Sequence, residues 1–157
     1  MTPAIVRLWP GPLFRSRLTV ARAASDWSLG PSVQAAKILI VEDNALLAID
    51  IEDTLRAAGY DVVGVAASAE EALKIAEEHR PTIAVMDIRL DGEVDGIDLA
   101  VMILDRYGTR SIFASAHSAP EMKARAVAAH PAGWLTKPFA MQDVVHAVAA
   151  ALAPKRS

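Results

Sequence analysis

The sequence predicts an α/β protein built on a doubly wound parallel sheet with helices on both faces. Three observations carry this expectation. From Lys37 onward, short apolar runs alternate five times with segments of helical character. The runs Ile38–Val41 and Thr82–Met86 are almost continuously apolar, as strands buried on both faces must be. Five such units fill about 120 residues, so each strand returns to the sheet through its own helix, the crossover arrangement of a parallel sheet.

The first strand covers Lys37 to Val41. Asn44 is placed to cap a helix running to about Ala58, whose Leu47, Ile51 and Leu55 recur every fourth residue as one apolar stripe. Gly59 ends that helix. Asp61 to Ala66 reads as the second strand. Ser68-Ala-Glu-Glu71 is a capping box opening a helix to about Glu78. Pro81 follows, then the third strand, Thr82 to Met86, and a third helix from Ile97 to Tyr107. Ser111 to Ser115 is the fourth strand. Ser118-Ala-Pro-Glu121 is a further capping signature, with proline inside the first turn of a helix to about Ala129. Gly133 to Leu135 is a short fifth strand, and Gln142 to Leu152 the last helix.

A length of 157 residues sets one domain as the expectation, and a hydrophobic content of 53% supplies a core. The absence of cysteine excludes disulfides, thiolate metal sites and cysteine nucleophiles. The net charge of −3 gives no sign of direct DNA binding. No apolar run approaches the roughly 18 residues that cross a membrane, so no membrane insertion is expected. Residues 1–36 differ from the rest. They hold Pro3, Pro10, Pro12 and Pro31, and four arginines against Asp26, a net of +3, so residues 37–157 carry −6. They lack the apolar centre of a secretory signal and read as a disordered N-terminal extension. Residues 37–153 form the expected domain and 154–157 a C-terminal tail.

The chemistry is concentrated at strand ends. Asp87 stands at the carboxyl end of the third strand, the edge where open α/β sheets bind ligands. Glu42 and Asp43 follow the first strand, Ser115 closes the fourth, and Lys137 follows the fifth. Each alone reads as a cap, a turn residue or a solvated side chain. Together, three acids can supply the hard oxygen ligands that Mg²⁺ takes, and clustered carboxylates repel until a cation joins them. A carboxylate beside such an ion can act as a nucleophile toward phosphorus. Lys137 can pair with Asp87 or with a phosphoryl oxygen, and Ser115 offers a hydroxyl to another. Phosphoryl transfer is mainly positioning and charge stabilisation, so this short set of parts suffices.

The segments Lys37-Ile-Leu-Ile-Val-Glu-Asp-Asn44, Val85-Met-Asp-Ile-Arg-Leu90, Asp95-Gly-Ile97, Ser115-Ala-His117 and Lys137-Pro-Phe139 carry a resemblance. From Lys37 to about Leu152, the chain resembles the receiver domain of bacterial two-component response regulators, in its single-domain, chemotaxis-regulator-like form. The resemblance implies a flavodoxin-like sheet of strand order 2-1-3-4-5. It implies that Asp87 is the phosphoacceptor and that Glu42, Asp43, Asp87 and the backbone carbonyl of Arg89 bind Mg²⁺. Lys137, before a cis Pro138, would read the phosphoryl group. Ser115 would be the switch hydroxyl and Ala116 the small residue leaving phosphoryl access open. Trp134 would take the place of the rotating aromatic, with plain core packing as its other reading. Arg89 and His117 would flank the site and set phosphate lifetime, His117 reading equally as an exposed loop residue. Asp91, Glu93 and Asp95 read as solvated loop acids.

The implied function is that of a cytoplasmic phosphoacceptor, not an enzyme beyond self-catalysed phosphorylation and dephosphorylation. A sensor histidine kinase or histidine phosphotransfer protein would donate the phosphate. The helix 4–strand 5–helix 5 face would then change its affinity for a downstream target protein, or form a homodimer. Two competitors stand beside this. A pseudo-receiver would bind partners without taking phosphate, against which Glu42, Asp43, Asp87 and Lys137 are all retained. A haloacid-dehalogenase-like phosphatase wants a second acid two residues after its nucleophile, where this chain has Arg89. His79, His130 and His146 have no companions at ligand spacing.

Overall fold

The computed structural model describes residues 35–116 and 119–154; the expected N-terminal extension, except for Ala35 and Ala36, and the last three residues of the expected C-terminal tail lie outside them, as do His117 and Ser118. The elements alternate along the chain: β1 (Lys37–Val41), α1 (Ala45–Ala57), β2 (Asp61–Ala66), α2 (Ala69–His79), β3 (Ile83–Asp87), α3 (Gly96–Tyr107), β4 (Arg110–Ser115), α4 (Pro120–Ala126), β5 (Gly133–Thr136) and α5 (Met141–Leu152). All pairings are parallel, and the sheet order is β2-β1-β3-β4-β5. The expected fold class and strand order are therefore observed.

The sheet divides the core by the two-residue period of its strands. Leu39 and Val41 of β1, Ala84 and Met86 of β3 and Phe113 of β4 face one way, against Ala72 and Ala76 of α2 and Leu99 and Ile103 of α3. Ile38, Ile40, Ile83, Val85 and Ile112 face the other way, against Ile51 and Leu55 of α1 and Val144 and Val148 of α5. All of these side chains are buried.

Local chemistry sets the element ends. Asn44 caps α1 by accepting from the N–H groups of Leu46 and Leu47 at 3.1 and 3.2 Å. Gly59, at φ +89°, closes the same helix: its N–H reaches Arg56 and the Tyr60 N–H reaches Leu55, the two bonds of a Schellman turn. Ser68 caps α2, while the Glu71 carboxylate accepts from the Ala67 N–H at 2.9 Å, one residue earlier than a simple box has it. The N-cap of α4 falls on Ala119, which offers no side-chain bond, and Pro120 opens the helix; the Ser118 of the expected capping signature lies outside the described residues. The chain then tightens into a 3₁₀ turn, Val127–Ala129, where the sequence suggested one continuous helix. Asp87 is the last residue of β3, at the carboxyl end where the sequence placed it.

Candidate functional site

The order β2-β1-β3 makes the carboxyl ends of β1 and β3 the place where the sheet reverses direction of growth, the edge at which such sheets bind ligands. Glu42 continues β1 by one residue, its N–H reaching the Ala66 carbonyl at 3.0 Å. Its side chain is buried, at 3% exposure. One of its oxygens accepts from the Asn44 N–H at 3.2 Å. Asp43, next along, is exposed at the rim. Asp87 is buried at the tip of β3. Its Oδ1 accepts from the Arg89 N–H at 3.0 Å, which holds the carboxylate against its own turn.

Lys137, one residue past β5, closes the cup. Its Nζ donates to Asp87 Oδ2 at 2.6 Å and to Glu42 Oε2 at 2.7 Å. Its backbone N–H also reaches the Ser115 carbonyl at 2.8 Å, tying the ends of β4 and β5 together. The peptide bond to Pro138 is cis, as the resemblance implied. One carboxylate oxygen each from Glu42, Asp43 and Asp87 lies within 4.8 Å of the others. Burial pushes the Glu42 carboxyl above its usual range, and the Asp87 charge adds to the rise; the Lys137 hydrogen bond opposes it without prevailing. Burial acts to lower the Lys137 ammonium, but the hydrogen bonds from it to Asp87 and Glu42 outweigh that and hold it above its usual range. Three acids face one lysine, so the cup has a deficit of positive charge. Its donors are hard oxygens, the set that suits Mg²⁺.

The remaining expected residues sit around this cup. Ser115 ends β4 and is buried; its hydroxyl donates to the Met122 sulfur at 3.6 Å. Ala116 is exposed and lines a groove of about 390 Å³ with Leu47, Lys137, Pro138 and Phe139. Arg89 is exposed. Trp134 lies opposite Phe113 in the β4–β5 register and is half-buried. The ring centroids are 5.0 Å apart at 35°, and Lys123 Nζ lies 5.8 Å from the Trp134 centroid. The packing role open for Trp134 is thus real, on the Phe113 face. His117 lies outside the described residues.

Asp95 corrects one expectation. It is not a free loop acid: its Oδ1 caps α3 by accepting from Ile97 and Asp98 at 2.9 and 3.0 Å, and its Oδ2 takes the Arg125 guanidinium at 2.7 Å. Partial burial opposes ionisation, but the Asp98 N–H and Arg125 outweigh it and hold the Asp95 carboxyl below its usual range. Gly96 is a residue whose role sequence reasoning missed. A Cβ there would stand 1.9 Å from the Asp87 carbonyl oxygen, so α3 starts directly against the backbone of Asp87. The signal was the Asp95-Gly96 pair preceding an apolar helix. Arg125 had no such signal, because its partner lies 30 residues away.

A five-stranded doubly wound domain with an acidic, lysine-closed cup at its switch point is the class that fold and site define. The response regulator receiver domain model matches residues 38–149, and the chain belongs to that family. It is 34% identical over 124 residues to the transcriptional regulatory protein PdtaR of Mycobacterium tuberculosis, covering 76% of this chain and 60% of that protein. The chain therefore spans under two thirds of that relative's length. It is 33% identical over 114 residues to the chemotaxis protein CheY of Thermotoga maritima, covering 71% of this chain and 93% of that one. Among solved structures, the signal receiver domain of a modulated diguanylate cyclase from Desulfovibrio desulfuricans is 35% identical with a TM-score of 0.69, covering 75% of this chain and 94% of that chain. Among the described residues, no helix is long and apolar enough to cross a membrane.

Proposed function

We propose that the domain accepts a phosphoryl group on Asp87 from a phosphohistidine of a sensor histidine kinase or histidine phosphotransfer protein, in the cytoplasm. The observation that carries this is the convergence of Lys137 on Asp87 and Glu42 at 2.6 and 2.7 Å, with the Asp43 carboxylate within 4.8 Å. In the transfer, an Asp87 oxygen attacks phosphorus as the P–N bond to the donor imidazole breaks, and the imidazole leaves with the bonding pair. Both Asp87 oxygens are already held, one by the Arg89 N–H and one by Lys137, so the nucleophile is oriented before the donor arrives.

Glu42, Asp43 and Asp87 would hold Mg²⁺, with the Arg89 backbone carbonyl as a further ligand. When bound, that ion neutralises charge on the transferring oxygens. Lys137 then pairs with the phosphoryl group, and the Ser115 hydroxyl accepts the task of bonding another of its oxygens. Ala116, with no bulk beyond Cβ, leaves the approach open, while Arg89 and, by its place in the sequence, His117 would set the lifetime of the acyl phosphate. Trp134 and the face formed by α4, β5 and α5 repack in response. That shifts affinity for a downstream target protein or for a second copy. We assign this role to residues 37–153, a span supported by the family match.

The test is direct phosphorylation. The chain, with Mg²⁺ and phosphoramidate, should gain one phosphoryl group by intact mass, and Asp87→Ala should gain none. Labelling that survives in Asp87→Ala refutes the assignment. Steady turnover of a phosphate ester would point instead to the haloacid-dehalogenase-like chemistry.

A further inference from the structure

Helix α4 carries its own connections to the cup. It has seven residues, and its N-cap residue, Ala119, offers no side-chain bond to its first turn. A helix that short has little stability of its own, so tertiary contacts must fix its position. Three of its side chains supply them, each reaching a residue that builds or braces the site. Met122 Sδ accepts from the Ser115 hydroxyl at 3.6 Å. Lys123 lies over the Trp134 ring. Arg125 donates to Asp95 at 2.7 Å and stands 3.6 Å from Asp98. Asp95 in turn caps α3, and the next residue, Gly96, abuts the Asp87 backbone.

We propose that Met122 and Arg125 are positioning residues that clamp α4 in its resting place, so that the Ser115 hydroxyl must leave the Met122 sulfur to reach a phosphoryl oxygen on Asp87. This rests on the phosphoacceptor reading. A thioether is a weak acceptor, and a phosphoryl oxygen a strong, charged one, so the exchange runs toward the phosphoryl group once it is present. The hydroxyl's departure removes one polar tether from α4. A second, the Arg125–Asp95 pair, is partly exposed and therefore weak. The clamp is strong enough to set a resting position and weak enough to be overcome by a single phosphoryl group. Removing part of it should pre-shift the population and tighten binding of any ligand that selects the switched state.

The experiment uses the full chain carrying Trp9→Phe and Trp27→Phe, so that Trp134 alone reports by fluorescence. Beryllofluoride with Mg²⁺, a mimic of the aspartyl phosphate, is titrated in. Arg125→Ala should bind it roughly two- to fivefold more tightly than the parent, and Met122→Leu about twofold, since each loses a resting-state tether worth a weak surface interaction. Arg125→Lys, which keeps a cation for Asp95, should stay near the parent. A purely structural role predicts a lowered melting temperature with unchanged or weaker affinity, and that result overturns the clamp. So does a parent that takes phosphate in the mass assay but gives no Trp134 response. Failure of both assays refutes the phosphoacceptor reading, and the clamp falls with it.

Discussion

Replacing Lys137 with methionine tests the electrostatics of the cup most severely. The stem of the side chain is retained in volume, and only the charge and its two hydrogen bonds are lost. Glu42 and Asp87 then face each other uncompensated. At a separation within 4.8 Å, two carboxylates repel by at least about 3 kcal/mol at an effective dielectric of about 20. Water reaches the rim at exposed Asp43, and Lys137 itself is 22% exposed, so part of that repulsion is screened. We expect a net loss of about 2 kcal/mol, measured by urea denaturation at pH 7.5 in EDTA, below the roughly 3–5 kcal/mol seen when one partner of a fully buried pair is removed, because this pair is partly screened. Two dependences identify the cause. Added Mg²⁺ should recover at least about half of the loss, because a cation replaces the missing one. Acidification should also shrink it. Glu42 has a raised folded-state pKa, so the folded state binds the proton first, and stability lost at higher pH returns as pH falls through that raised value toward the unfolded one near 4.5. A loss below about 0.5 kcal/mol, or one indifferent to both Mg²⁺ and pH, would refute the account.

Other perturbations address neighbouring parts. Gly96→Ala should cost about 2 kcal/mol or more and weaken beryllofluoride binding, because its Cβ collides with backbone rather than with a movable side chain. Chemical denaturation and the Trp134 titration read the two effects. Asp95→Asn keeps an oxygen for the α3 cap and loses the charge facing Arg125, so at pH 7 it should cost less than about 1 kcal/mol. The native carboxylate's contribution is complete above its unfolded value near 3.8 and fades as pH falls through its lower folded value. The two proteins should therefore converge in stability in acid; a gap that stays constant below pH 4 would contradict this. Phe113→Ala, at a fully buried ring packed at a tilt against Trp134, should cost about 3–5 kcal/mol in thermal or urea unfolding.

What the sequence made legible follows from the range of the interactions. Ile38–Val41 and Ile83–Met86 announced themselves because a strand buried on both faces has no room for polar residues. Asn44, Gly59 and Ser68 marked helix ends because capping is settled within a few residues of the chain. The meeting of Glu42, Asp87 and Lys137 was legible only through strand ends: a parallel sheet gathers its carboxyl edges on one side, whatever their spacing in sequence. The Asp95–Arg125 pair follows no such rule. Nothing local distinguishes an aspartate that takes a distant guanidinium from one facing water, and the solvated reading failed there. The Ser115–Met122 contact was hidden for the same reason. Methionine in a helix reads as packing, and only the fold brings its sulfur to the hydroxyl.

The distribution of helix caps decides which part of the domain can answer the cup. Asn44, Ser68 and Asp95 cap α1, α2 and α3 with their own side chains. At α5 the Asp143 carboxylate reaches back to the Ala140 N–H at 3.0 Å. Those first turns are fixed locally, whatever the state of Asp87. Among the described residues, the start of α4 has no comparable side-chain bond, and a 3₁₀ turn follows its last residue. Its position is set by core packing of Ala126 and Met122 and by contacts with Ser115, Trp134 and Asp95. A change of charge at Asp87 reaches Ser115 and Lys137 first, since the cup is otherwise built from buried strand tips in a close-packed sheet. Any response must then appear where local restraint is weakest. Under the phosphoacceptor proposal, a seven-residue helix held mainly by tertiary contacts is the segment that would carry the state of Asp87 to a partner.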